Sequence, residues 1–347
     1  MRSLTLFIPG LLGPDAPIQP DELPDFPALN WILGRAEIES IQTLSASSHL
    51  CQLFGLSKNE DADLPIAAIS RLSDDNQPPE GHWLRADPVH VSVDRDGLIL
   101  LDSTRFHLSQ HDALALAAEV NRLLYEKDMA LEVPTPYRWY LKLPKPQHLI
   151  TTPVDLVVGK DVLHYMPKGD DRVTWIQLLN EIQMILHASE INVDRETNKL
   201  LPVNSLWLWG IGALPESLKR RWSRVYSNDM LAKGLSMLAA TPYEELQSKL
   251  PDMDNLPSDF EILITFQQLQ KYNYYLDMEG WFEELIELER NYLVPLRQLI
   301  RRRRFDEIKI QTDKQALTIN KNAGLQFWKP NQNLIAIRQI HSLQKNV

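Results

Sequence analysis

The 347-residue chain contains a single cysteine, Cys51. That excludes an internal disulfide framework and any cysteine-rich zinc or iron–sulfur site. Beside Leu50 and near Leu53, the lone thiol reads as a small buried hydrophobe. Long apolar runs are also missing: nothing reaches the roughly 18 consecutive residues of a membrane span. The N-terminal run Leu4–Ile8 is cut short by Pro9-Gly10, too early for a signal-peptide core. These absences predict a cytoplasmic protein with no membrane partner. Glycine is scarce, 13 residues against 23 prolines, and no heptad or longer repeat is sustained, which excludes collagen-like and coiled-coil chains. Positive charge is in deficit: 36 Lys and Arg against 46 Asp and Glu leave a net charge of −10. Duplex phosphate would repel such a chain unless a basic patch were segregated, so no nucleic-acid partner is expected.

What is present is ordinary globular material. Hydrophobic residues make up 44% and charged residues 24% of the chain, enough to bury a substantial core. The length exceeds what one core usually spans, which predicts two domains or one domain with an insert. Leu4–Ile8 is nearly all apolar, as suits a strand buried on both faces of a parallel sheet. Phe260–Thr265 has the same character; Arg224–Tyr226, Glu307–Gln311 and Ala316–Ile319 read as further strands. Helices are predicted over Pro27–Ala36, Ser47–Phe54, Pro65–Leu72, Val173–His187 and Asp229–Leu238, and as one long rod over Trp281–Arg304. Ser109 is placed to cap a helix running to Leu124. Between these lie a hairpin, Val89–Val93 and Leu98–Leu101 about a turn at Asp94–Gly97, and short strands near Met129–Val133, Arg138–Leu143 and Asp161–Tyr165. Ser205–Trp209 is a strand running into Gly210. The alternation predicts an α/β fold with a mostly parallel sheet, the hairpin region belonging to an inserted piece.

Several residues invite a chemical reading. His82, Asp87, His90 and Asp94 crowd one segment, yet their spacing across Pro88 matches no compact metal motif. Asp87 could act on a substrate, pair with Arg85, or accept backbone N–H groups in its turn. Arg138, Asn192 and Arg195 are candidates for holding an anion, since guanidinium groups present a planar fork to phosphate or carboxylate. The alternative for Arg195-Glu196 is a solvated loop. Trp207 and Trp209 share a strand face and read as core. Asp74-Asp75 read as solvated, and Arg301–Arg304 as a solubilising helix end whose cations complement the helix dipole. No Walker loop, zinc signature or serine-triad order is present.

Four segments carry a family resemblance: His82–His90, Pro136–Leu141, Leu178–Met184 and Pro202–Gly210. Together with Trp281–Pro295 and Phe327-Trp328-Lys329-Pro330 they resemble the RpfE-type regulatory protein family. Through Ile191-Asn192, Arg195 and Asn204–Gly210 the chain also resembles archaeal-type cofactor-independent phosphoglycerate mutases of the alkaline-phosphatase-like superfamily. The resemblance implies a mostly parallel α/β sheet of alkaline-phosphatase-like type with a smaller α/β insert. The main domain would comprise residues 1–80 and 200–347, and the insert residues 81–199. It further implies a Ser or Thr nucleophile between two metals held by Asp and His. Here Pro9-Gly10 stands where the first Asp is expected, Gln267, Gln268, Gln270 and Asn273 where later ligands are sought, and Asp313-Lys314 in place of an Asp-His pair. The expectation is therefore a regulatory or binding pseudoenzyme without cofactor or metal. Arg85, Arg138, Asn192, Arg195 and Asn204 would face a small anionic metabolite, with Arg138 and Arg195 in a common cleft. Asn204 is expected to fix the loop carrying Asn192 and Arg195, and a protein partner is a further expectation. The alternative is an active phosphomutase or phosphohydrolase using Mn or Zn, with Asp87, His90 and Asp277 as its catalytic groups.

Overall fold

The computed structural model describes residues 1–19, 23–59, 62–95, 97–253 and 257–338. In chain order the elements begin β1 (Arg2–Phe7), α1 (Pro27–Leu33), β2 (Glu37–Ser40), α2 (Ala46–Leu53), α3 (Ile66–Asp75), β3 (His82–Asp94) and β4 (Gly97–Leu101). There follow α4 (Gln110–Tyr125), β5 (Ala130–Thr135), β6 (Arg138–Leu143), α5 (Arg172–Ala188), α6 (Glu190–Thr197), β7 (Ser205–Ala213) and β8 (Arg224–Ser227). The chain closes with α7 (Met230–Leu238), β9 (Tyr243–Glu245), β10 (Phe260–Thr265), α8 (Gln270–Tyr274), α9 (Met278–Leu288), α10 (Val294–Arg301), β11 (Glu307–Gln311) and β12 (Gln315–Asn320). Two compact units result, Met1–Leu50 with Lys219–Val347, and Cys51–Leu218.

The discontinuous unit is built on a seven-stranded sheet ordered β2-β12-β11-β1-β10-β8-β9. β11, β1, β10, β8 and β9 run parallel; β12 and β2 are added antiparallel at one edge. β1 lies between β10 and β11, with Leu4 opposite both Ile262 and Ile308. Leu4, Leu6, Phe7 and Ile8 are all essentially inaccessible, and Ser3 and Thr5 on the alternate positions are buried too, as expected of a central strand covered on both faces. One sheet face packs under α1, α9 and α10, with Trp281, Leu285, Leu296 and Ile300 in its core.

The single rod expected over Trp281–Arg304 is interrupted. α9 and α10 are separated by a π-helical turn, Glu289–Leu293. Pro295 lies two residues beyond that turn and has no N–H to donate to it, so the helix widens there and restarts with proline in its first turn. Glu289, at the widened turn, accepts the N–H groups of Ala28 at 2.5 Å and Leu29 at 3.0 Å. It thereby caps α1, whose own N-cap position is Phe26 and makes no side-chain cap bond.

The continuous unit has a five-stranded sheet, β4-β3-β6-β5 with β7 also paired to β3. Antiparallel pairing sets Asp87 opposite Trp207 and Arg85 opposite Tyr140 and Trp209. Strand alternation then sorts side chains by face. Leu84, Ala86, Trp139, Leu141 and Leu206 meet α4 and α5, whereas Trp83 and Tyr140 meet Ala67 and Ala68 of α3. Ser109 caps α4 by accepting from Asp112 N–H at 3.0 Å.

The insert is wider than residues 81–199. Residues 51–80 and 200–218 fall with the second unit, because α3 packs on β7 and β3 and because β7 is a neighbour of β3 rather than of any main-sheet strand. The strand expected over Asp161–Tyr165 is instead a 3₁₀ turn, Val162–Tyr165, capped by Asp161 accepting from Leu163 N–H at 3.2 Å. The hairpin is formed by β3 and β4; Asp96 in its turn lies outside the described residues. Cys51 is fully buried.

Candidate functional site

In an open parallel sheet, ligands gather beyond the carboxyl ends of the strands. Here the ladder places Phe7, Thr265 and Gln311 side by side at that edge. Gly10 turns the chain away from β1 at φ +82°, and a Cβ there would lie 2.9 Å from the Gln270 backbone. Its N–H donates to Asp313 Oδ1 at 3.1 Å, and its carbonyl accepts from Trp281 Nε1 at 2.9 Å. Lys314 pairs with Asp15 at 2.6 Å. The Ser227 and Thr265 hydroxyls are hydrogen-bonded to each other, while Ser227 Oγ accepts from Asp229 N–H at 3.0 Å just before α7.

His49 closes this edge beside β1 and β11. Its ring lies 6.3 Å from that of Phe7, and Nδ1 is 3.2 Å from Gln311 Nε2. Among the described residues Nε2 is buried without a hydrogen-bond partner, as is Gln268 Oε1 just after β10. Burial pushes the His49 pKa below its ordinary value, with the charge of Asp313 opposing the shift. The imidazole is therefore neutral near pH 7, and around Asp313 the edge presents amides, a neutral ring and hydroxyls.

Two divalent ions would need several hard anionic ligands converging there. Among the described residues no three His, Cys, Asp or Glu side chains group so as to hold a metal ion. Asp313 is turned onto Gly10, Lys314 adds a cation, and the residues following β10 are Phe266, Gln267 and Gln268. This donor set does not fit a two-metal centre. Asp277 is an N-cap residue, accepting from Gly280 N–H at 3.0 Å at the start of α9.

The other sequence candidates lie in the second unit. Arg85 donates through Nε and a terminal nitrogen to Asp87 Oδ1 at 2.9 and 2.6 Å, and the other Asp87 oxygen accepts from Trp209 Nε1 at 2.7 Å. The Arg85 guanidinium lies 5.2 Å from both the Tyr140 and Trp209 rings. Burial raises the Asp87 pKa, with Arg85 pulling it back. On the same face Arg138 forks onto Asp74 at 3.1 and 2.7 Å, and Tyr140 Oη donates to Asp74 at 2.6 Å. Burial raises the Asp74 pKa more than any single partner lowers it, but the hydrogen bonds from Arg138 and Tyr140 and the charges of Arg138 and Arg85 together hold the carboxyl below its usual range. Asp74 is thus a buried network member, not a solvated loop residue; Asp75 is half-exposed and pairs with Arg71. A helical face comprising Ala67, Ser70 and Asp74 was the signal that could have revealed this.

Arg195 faces elsewhere. Its guanidinium is saturated by Leu201 O at 2.9 and 3.1 Å, His107 O at 2.6 Å and Asp112 at 3.4 Å, and the residue is 3% exposed. These partners lie on the α4 and α6 side of the sheet, whereas Arg138 lies on the α3 side. The common cleft expected for the two arginines is therefore absent, because β6 alternation sends Arg138 to the opposite face. Asn192 spans Leu186 O and both backbone groups of Val203 at 2.7–2.9 Å. Asn204 instead pairs with both backbone groups of Val91 at 2.7 and 2.9 Å, so it continues the β3 ladder rather than holding the Asn192 loop. His90 Nδ1 bonds Pro202 O at 2.9 Å.

No family model matches the chain. Curated relatives do: a phosphoglycerate mutase of Methanothrix thermoacetophila is 30% identical over 79 residues, 23% of this chain and 20% of its own. A probable one of Geobacter sulfurreducens is 25% identical over 133 residues, covering 38% and 33%, and one of Methanosarcina barkeri 24% over 161 residues, covering 44% and 40%. These relatives are 2,3-bisphosphoglycerate-independent phosphoglycerate mutases. The chain thus spans well under half the length of each. Among solved structures, a Pyrococcus horikoshii protein aligns at TM-score 0.51 and 11% identity, covering 97% of this chain and 92% of its own. A cofactor-independent phosphoglycerate mutase of Thermoplasma acidophilum aligns at 0.45 and 15% identity, covering 96% and 94%. The chain is similar in sequence to 2,3-bisphosphoglycerate-independent phosphoglycerate mutases over part of their length, and its fold is mixed α/β with a large, mostly parallel sheet.

Proposed function

We propose that this is a cytoplasmic regulatory or binding protein of RpfE type, built on a phosphomutase scaffold and lacking the two-metal phosphoryl-transfer centre. The observation that carries the reading is the carboxyl edge of the main sheet. Asp313 is engaged by the Gly10 N–H, a lysine follows it, and amides occupy the turn after β10. In-line phosphoryl displacement needs charge neutralised on both the entering and leaving oxygens. Neutral amides and a carboxylate already engaged by a backbone N–H are poor ligands for the ions that supply this. The same edge suits recognition of a small polar anion without turnover. His49 Nε2 and Gln268 Oε1 are buried with no partner among the described residues. The amide oxygen accepts from a hydroxyl of the ligand rather than from its anionic oxygens, and such groups gain most from a ligand that completes their hydrogen bonds. The arginines of the second unit are bound to internal partners and rank below this edge as ligand contacts.

The experiment pairs metal analysis with calorimetry. Purified protein should carry no stoichiometric Mn, Zn or Mg and should not interconvert 2- and 3-phosphoglycerate when these ions are added. Titration with phosphoglycerates and related small anions should give binding that His49→Ala and Gln268→Ala weaken. Metal-dependent turnover would instead establish the active phosphomutase or phosphohydrolase.

A further inference from the structure

The end of α10 and the chain after β12 form a surface that plays no part in the reading above. α10 closes with Arg304 N–H on Leu299 O at 3.1 Å and Arg303 N–H on Ile300 O at 3.0 Å. Arg303 takes the left-handed position at φ +54°, where glycine would be accommodated at lower cost. Arg301, Arg302 and Arg303 are exposed, and none forms an ion pair among the described residues. Behind them Trp31 is flanked by two cations, Arg35 at 4.5 Å and Arg301 at 5.5 Å from its ring centroid. Arg35 is held by the carbonyls of Trp31 and Lys329 and by Asn331, at 3.1–3.2 Å. No carboxylate is among those partners.

The turn Ala323–Leu325 packs on this helix end so closely that a Cβ on Gly324 would lie 3.1 Å from Arg301 Cα. The chain then presents Phe327 and Trp328, 85% and 68% exposed, with rings edge-to-face at 5.2 Å. The bond from Arg35 to Lys329 O ties this pair to the arginine cluster. Adjacent exposed aromatics mark interaction surfaces more often than isolated ones do, and tryptophan and arginine are the residues that anchor such interfaces.

We infer that this surface docks a short acidic segment of another protein in which carboxylates alternate with apolar side chains. The carboxylates meet the guanidinium forks of Arg301–Arg303, and the apolar groups cover Phe327 and Trp328. Charge distinguishes the occupant. At physiological salt, fields decay over about 8 Å, so a short segment senses only the local cations. A duplex or an anionic bilayer extends beyond the patch and meets a chain whose net charge is −10. The inference is independent of whatever the sheet edge binds.

The test uses the full chain and a fluorescein-labelled peptide alternating Asp or Glu with Leu and Phe, read by anisotropy. Binding is expected, weakened about tenfold or more, or about 1.4 kcal/mol, by the pair Phe327→Ser and Trp328→Ser. Arg302→Gln with Arg303→Gly should act similarly, the glycine keeping the left-handed helix end. Raising salt should also weaken binding, and circular dichroism should find both variants folded. The inference is overturned if the wild type does not bind the peptide or if the variants bind it unchanged. It is equally overturned if polyaspartate binds as well as the apolar-containing peptide, or if duplex DNA or phosphatidylserine vesicles bind more tightly.

Discussion

Replacing Arg85 by methionine tests whether the buried network of the second unit behaves as its geometry implies. Methionine matches the aliphatic stem but removes two bonds to Asp87, a weak bond to Ser70 at 3.4 Å, and the cation between the Tyr140 and Trp209 rings. Asp87 keeps Trp209 Nε1 as its side-chain partner and remains in a site where its side chain is 9% exposed. An uncompensated buried charge of this kind costs roughly 3–5 kcal/mol, a large share of the roughly 5–15 kcal/mol that stabilises a typical protein. Urea unfolding followed by tryptophan fluorescence and near-ultraviolet circular dichroism measures the loss. Pairing Arg85→Met with Asp87→Leu should recover part of it, because the stranded charge is then gone. The pH dependence supplies a second signature. Burial already raises the Asp87 pKa, and without Arg85 the carboxyl rises further. The folded variant then binds a proton that the unfolded chain, with an ordinary pKa of about 4, does not. Lowering the pH from neutrality toward that value should therefore shrink the deficit. A loss under about 1 kcal/mol, or a double variant less stable than the single, would refute the reasoning.

Asn192→Ala removes three buried hydrogen bonds and strands the backbone of Val203, so a loss of roughly 2–4 kcal/mol in urea unfolding is expected. Gly10→Ala must strain the left-handed turn and displace the α8 backbone, with an expected cost of roughly 1–3 kcal/mol and a weakened Gly10–Asp313 bond. His49 has a lowered pKa, so the unfolded state binds the proton more readily and wild-type stability should fall as the pH drops below about 6.5; His49→Asn should lack that component when unfolding midpoints are compared from neutral to mildly acidic pH.

The buried strands were legible because their sequences satisfy a local rule. β1 and β10 are short apolar runs bounded by turn residues, and β6 begins and ends where its alternation does. Ser109 and Asp229 act as caps through bonds to residues three positions ahead, which local spacing encodes. The π-turn before α10 was not legible as such, although Pro295 was its local cause. β2 escaped notice because it is an exposed edge strand with no apolar alternation, held by its ladder to β12.

The candidate site divides along the same line. Sequence alone placed Gly10, the Gln267-Gln268 pair and Asp313-Lys314 after strands that become neighbours, since strand ends are local features. Their adjacency depends on β1 lying between β10 and β11, pairings that span most of the chain. Sequence also singled out Arg85, Arg138, Asn192, Arg195 and Asn204 as candidate ligand contacts and Asp87 as a candidate catalytic group, but not what they touch. Only the tertiary structure decided that. A buried guanidinium or amide must find partners wherever the fold supplies carbonyls and carboxylates. For Arg195 those were two carbonyls and Asp112; for Arg138 they were Asp74 and the opposite face of the sheet. A one-dimensional sequence carries the demand for a partner, while its identity is fixed by which distant segments the sheet brings within hydrogen-bonding distance.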